Sequence, residues 1–161
     1  MRIGIAVCCF LLLGLPARAE RADVFEAFTG VWVSDGDAFG GPAQSKMIWE
    51  TTLDGKFVKL SYRIDMPRDE SAATFEGVAY YRASDENEWN AFWADNSGAL
   101  YSIRAEIDEK GVLSHWGVEG GKQGRTRYTL TADGDIEVTD WVHTPDGWRQ
   151  FNNNTFSRAP R

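Results

Sequence analysis

The chain has 161 residues, 24 of them acidic and 17 basic, a net charge of −7, with 43% hydrophobic and 13% aromatic residues. An acidic balance of this size excludes nucleic acid as a partner, because phosphate recognition draws on surplus Lys and Arg. The length suits one domain with a real core and no metal or disulfide staple.

Arg2, the apolar run Ile3 to Leu15 and Ala17-Arg18-Ala19 predict a signal peptide over 1–19, cleaved before Glu20. The apolar run is shorter than the ~20 residues that span a bilayer, so no stable membrane insertion is expected after cleavage. Val7 is bulky where a lipid-modified cysteine follows a small residue, so Cys8 is not read as a lipid site. The mature domain is then 20–161, exported to the periplasm or secreted. Loss of Arg2 and Arg18 leaves 15 bases against 24 acids, about −9. Cys8 and Cys9 leave with the signal, so stability rests on packing alone.

Ala22 to Phe28 predicts one or two helical turns with Val24, Phe25 and Phe28 on one face, a plug for one end of a barrel. Strand-like runs follow at Gly30–Val33, Gln44–Thr52, Phe57–Ile64, Thr74–Arg82, Glu88–Ala94, Leu100–Ile107, Val112–Gly117, Gly124–Thr131, Ile136–His143 and Trp148–Ser157. Between them stand Asp54-Gly55, Asn96-Ser97-Gly98, Lys110-Gly111, Ala132-Asp133-Gly134 and Pro145-Asp146-Gly147, all compact hairpin chemistry. The Gly- and Asp-rich segment Asp35–Pro42 is expected as the longest early loop, near one rim and able to act as a lid. No interval suits a crossover helix, which excludes a parallel α/β sheet. The acids Asp35, Asp37, Asp54, Asp69, Glu70, Asp85, Glu86, Asp108, Glu109, Asp133 and Asp135 mostly coincide with turn residues and read as solvated turn chemistry.

Seven Trp, five Tyr and the eight Phe that remain after Phe10 leaves with the signal are too many bulky groups for a thin two-sheet core. The expected fold is all-β: a closed antiparallel up-and-down barrel of about ten strands with a short N-terminal helical plug. On Glu88–Ala94, Trp89, Ala91 and Trp93 share one face and Asn90, Phe92 and Ala94 the other, so one face can line a cavity.

Gly30-Val31-Trp32 on the first strand and Arg158 in the last resemble the calycin superfamily of lipocalins, fatty-acid-binding proteins and nitrobindin-like barrels. The resemblance implies that Trp32 packs under the barrel floor with Arg158 across it, making Gly30, Trp32 and Arg158 structural closure residues. Gly30 through Gly36 is similar to the nitrobindin Gly-x-Trp-x-Gly-x-Gly signature, with Ser34 at the middle glycine. Those proteins bind haem through a late-strand His. Trp148–Ser157 contains none, and only His115 and His143 exist, so no cofactor is expected. Thr139-Asp140-Trp141 looks like the lipocalin Thr-Asp-Tyr element but stands too late in the chain, and it carries no assignment. From Gly55-Lys56-Phe57 and Trp93 to Ser97 through the final Arg, the chain looks like small exported bacterial lipocalin-like barrels of unassigned function.

The leading reading is an exported protein holding a small apolar or amphipathic molecule in an interior of ~300–1,000 Å³. Expected lining residues are Trp49, Tyr62, Tyr80, Trp93, Tyr101, Arg104 and Trp116, the aromatics giving apolar area and Arg104 a counter-charge. An alternative is a small isomerase, cyclase or lyase using Glu76 with Tyr80, Arg63 near Tyr62, Arg104 near Tyr101 or Arg127 beside Tyr128, although such charges also read as outward residues alternating with inward aromatics. No Gly-x-Ser-x-Gly elbow exists, and no catalytic residue is assigned. His115 is the one histidine whose phase is compatible with an inward direction. With two His and no mature Cys, Asp35-Gly36-Asp37 and Asp133-Gly134-Asp135 lack the rest of a calcium loop, and no metal site is assigned. A third reading is an envelope structural or interaction module whose barrel is packed solid with aromatics.

Overall fold

Along each strand the side chains alternate between an inner face of apolar and small residues and an outer face of polar ones, and that phase is what closes the sheet. The computed structural model describes residues 24–67, 73–83, 88–117 and 120–160. The expected signal segment 1–19, Ala22 at the expected helix start, and Asp69, Glu70, Asp85 and Glu86 lie outside the described residues.

After a short helix, α1 (Val24–Phe28), come β1 (Gly30–Ala38), β2 (Gly41–Thr52), β3 (Phe57–Met66), β4 (Ala73–Ala83), β5 (Glu88–Asp95), β6 (Leu100–Asp108), β7 (Gly111–Gly117), β8 (Gln123–Leu130), β9 (Ile136–Thr144) and β10 (Gly147–Arg158). Each strand pairs antiparallel with its sequence neighbours and β1 pairs with β10, a closed ten-stranded up-and-down barrel. Among the described residues every strand therefore has a partner on both sides.

One end is sealed. Val24, Phe25 and Phe28 of α1 are buried with Trp49, Tyr81, Val112, Ile136 and Phe156 in a single core cluster. Phe25 lies 4.5 Å from the Trp89 ring and 5.9 Å from both Trp49 and Tyr81, so the helix enters the barrel as an aromatic plug. Aromatic pairs at these spacings add ~0.5–1.5 kcal/mol each beyond area burial. The hairpins β2–β3, β6–β7 and β8–β9 surround this end; β1–β2, β5–β6 and β9–β10 turn at the other.

The segment Asp35–Pro42 differs from the expected loop. It is β-structure on both sides of a two-residue turn, with register from Asp35↔Gln44 to Ala38↔Gly41. Phe39 (φ 52°) and Gly40 (φ 84°) form that turn in the left-handed region, the geometry of a tight hairpin. Asp35 and Asp37 point to solvent while Ala38 and Ala43 are buried, so the acids mark the wet face of a strand and not a loop.

The β1–β10 seam is the shortest pairing, with Trp32↔Arg158 and Val33↔Ser157 in register. Farther along, the Asn154 amide donates to the Asp37 carbonyl at 2.9 Å, a side chain doing what the ladder does elsewhere. β10 carries a bulge between Gln150 and Asn152, where Phe151 is the additional residue.

Candidate functional site

The inner half of the barrel away from α1 encloses a cavity of about 450 Å³. Its walls include Tyr62, Phe75, Tyr81, Trp93, Tyr101, Trp116 and Tyr128, and its mouth Phe39, Ala99, Lys122 and Phe151. The barrel is therefore filled at the plugged end and open at the other.

Two glycines make that space. Gly77 faces Trp93 from the adjacent strand, and a Cβ there would stand 2.1 Å from the indole; at Gly124 the same atom would stand 2.0 Å from the Trp116 indole. The six-membered ring of each indole thus rests over bare backbone, in space that a side chain at the glycine would take. Each is pinned by its N–H: Trp93 donates to Asp95 at 2.9 Å, and Trp116 to the Thr126 hydroxyl at 3.1 Å. Phe75 stacks on Trp93 (6.1 Å, 18°), and Tyr101 leans on Trp116 (5.7 Å).

A polar chain runs through this apolar wall. Thr126 passes the hydrogen bond on to Asp140 at 2.5 Å, and the Asn152 amide donates to the other Asp140 oxygen at 2.7 Å. Asn152 in turn accepts from Asn154 at 3.0 Å. Asp140 lines the cavity, and desolvation raises its carboxyl above the ordinary value against the lowering effect of Thr126 and Asn152. Tyr81 meets Ser114 at 3.0 Å, and burial pushes its phenol up to about 12. Burial likewise raises Tyr62 and Tyr128, with the Asp140 charge adding to both.

Of the residues expected to line the interior, Tyr62, Trp93, Tyr101 and Trp116 come together on the cavity wall. Trp49 also points inward but one level too deep, fully buried between Phe25, Phe28 and Tyr128. Tyr80 lies on the outer face, stacked on Phe92 at 5.4 Å, because Ala79 and Tyr81 hold the inner phase of β4. Arg104 is outward and exposed, since Ile103 and Ala105 are the inward residues of β6.

The charges weighed for an enzyme are also outside. Arg63 binds Asp65 at 2.6 Å and pairs with Glu76, and Arg127 grips Asp108 at 2.7 and 2.8 Å. His115 faces out from β7, with its Nε2 3.4 Å from Glu106, and His143 packs on Trp148.

At the sealed end, the Trp32 indole donates to the Phe28 carbonyl at 2.7 Å, and the Arg158 guanidinium sits 4.3 Å from the Trp32 ring centroid. Arg158 also donates to the carbonyls of Thr29 (3.0 Å) and Ala27 (2.8 Å), tying the C-terminal strand to the end of α1. A Cβ on Gly30, whose φ is +136°, would stand 2.7 Å from that guanidinium.

Cavity residues that stand outside the expected lining include Phe75, Tyr81, Ser114, Thr126, Tyr128, Asp140 and Asn152. The signal for Asp140 was present: Ile136, Val138 and Asp140 share one phase of β9, which places a carboxylate on an apolar face. Neither the models of known protein families nor the curated protein sequences give a match to this chain.

Proposed function

We propose that the protein is an exported carrier or sensor barrel, related to the calycins, that holds one small apolar or amphipathic molecule in its open half. The observation that carries this reading is the aromatic-walled cavity of about 450 Å³, within the size range of small-molecule sites. Gly77 and Gly124 support it further, because a barrel built only to be packed gains nothing from seating two indoles over bare backbone. The Gly30, Trp32 and Arg158 geometry supports the calycin relation, and the sequence of 1–19 supports export. Binding without turnover is favoured over an isomerase-type role because Arg63, Glu76, Arg104 and Arg127 all stand outside the cavity.

The test is a titration of the purified protein with N-phenyl-1-naphthylamine, a neutral dye that brightens in apolar surroundings. One saturable site per chain is the expected result. Emission that never saturates, or does not rise, overturns the cavity reading.

A further inference from the structure

We propose that the ligand carries a protonated amine, and that Asp140 is the group that receives it. The inference rests on the cavity reading above and names the chemical class of its occupant.

Five observations carry it. Asp140 is the carboxylate set deepest in the polar chain of the wall, with Thr126 at 2.5 Å and Asn152 at 2.7 Å as its donors. Among the described residues no Lys, Arg or His pairs with it. A buried carboxylate with neutral donors but no counter-charge is costly, and a cation arriving with the ligand removes that cost.

The surrounding surface suits a cation as well. Aromatic faces attract an ammonium through their quadrupole, and Lys122 at the mouth already demonstrates it, its Nζ standing 5.9 Å from the Trp116 ring centroid. The other acid on the wall, Asp95, is occupied: Trp93, Ser97 and Ala99 all donate to it. The acidic excess of the chain favours the approach of cations over anions in general.

Three ligands sharing one tail separate the possibilities: decylamine, decanol and decanoate, each displacing N-phenyl-1-naphthylamine from the full protein. Decylamine is expected to compete about tenfold better than decanol, the worth of a charge-assisted hydrogen bond. Asp140→Asn removes that preference while dye and decanol still bind. Should the variant fail to fold, the wild type supplies the second arm. Its preference for decylamine disappears as pH falls and Asp140 protonates, while decanol binding is unchanged.

The titratable groups facing Asp140 are Tyr62 from β3 and Tyr128 from β8, both with raised values and so neutral throughout. Lys122 and Asp95 at the cavity wall are the other charged groups. Equal displacement by amine and alcohol overturns the inference and leaves the cavity reading standing. A preference for decanoate overturns it in favour of Lys122 as the anchor. Absence of dye binding removes the cavity reading itself.

Discussion

Trp116 and Gly124 stand directly opposite one another on β7 and β8, and the indole lies so close over the glycine that no Cβ fits beneath it. Trp93 covers Gly77 just as closely but from a diagonal position, since Gly77 is in register with Asp95 and Trp93 with Ala79. Each glycine converts an indole from a plug into a wall.

Gly124→Ala and Gly77→Ala should each push an indole into the lumen. The tip of the ring is the clashing part, so the barrel still closes, at a cost of about 1–3 kcal/mol for overpacking. Dye affinity should fall about tenfold, since the added bulk occupies ligand space. Chemical denaturation and dye titration of the same samples read both effects. Unchanged affinity in both variants would show that these indoles do not bound the binding space.

Arg158→Ala removes two hydrogen bonds to carbonyls of the helix end and the cation over Trp32. A loss of about 1–3 kcal/mol is expected. Arg158→Lys should recover only part of it, because an ammonium lacks the planar fork that reaches both carbonyls. Urea midpoints of the three proteins, compared at equal m-value, check the order.

Asp140 ties stability to pH. Its folded value is raised above the unfolded one by burial, so the folded state binds this proton more tightly than the unfolded state does. Its contribution is therefore fully present below the unfolded carboxylate value of ~3.9 and is lost as pH rises through the raised folded value. Wild type minus Asp140→Asn, measured as unfolding free energy across acid to neutral pH, should fall with rising pH. A flat difference would mean that Thr126 and Asn152 balance the desolvation, and a rising one that they outweigh it; either contradicts the raised value.

Three phenols, Tyr62, Tyr81 and Tyr128, have values raised by burial, with Tyr81 at about 12. In alkali the native protein should withhold these three from ionisation and release them together as it unfolds. Phenolate absorbance followed alongside circular dichroism will show whether the late step coincides with loss of structure. Early ionisation of all three would contradict their burial.

The architecture was legible because its signals are local. Turn glycines such as Gly55, Gly98, Gly134 and Gly147 do take positive φ, and strand phase follows from neighbours such as Ile103, Ala105 and Ile107. Asp35-Gly36-Asp37 misled because exposed acids on one face of a strand look like a loop when Gly stands between them. Depth along the barrel axis was not legible at all. Trp49 and Trp93 both point inward, but only three-dimensional closure sets one under α1 and the other beside the lumen. Adjacent tyrosines hid the phase of β4, where the small residues Gly77 and Ala79, not the larger ring, decide that Tyr81 faces in. Asp140 stands in a Thr-Asp-Trp string whose likeness to a motif masks what its alternation with Ile136 and Val138 shows, a carboxylate on the inward face.

Native mass spectrometry of the protein purified from its own cells, with the denatured mass taken on the same sample, tests the central claim most directly. The account predicts one small molecule per folded chain, released on denaturation and bearing a basic nitrogen. A folded chain that carries nothing, and acquires nothing when incubated with the small-molecule extract of those cells, would contradict it.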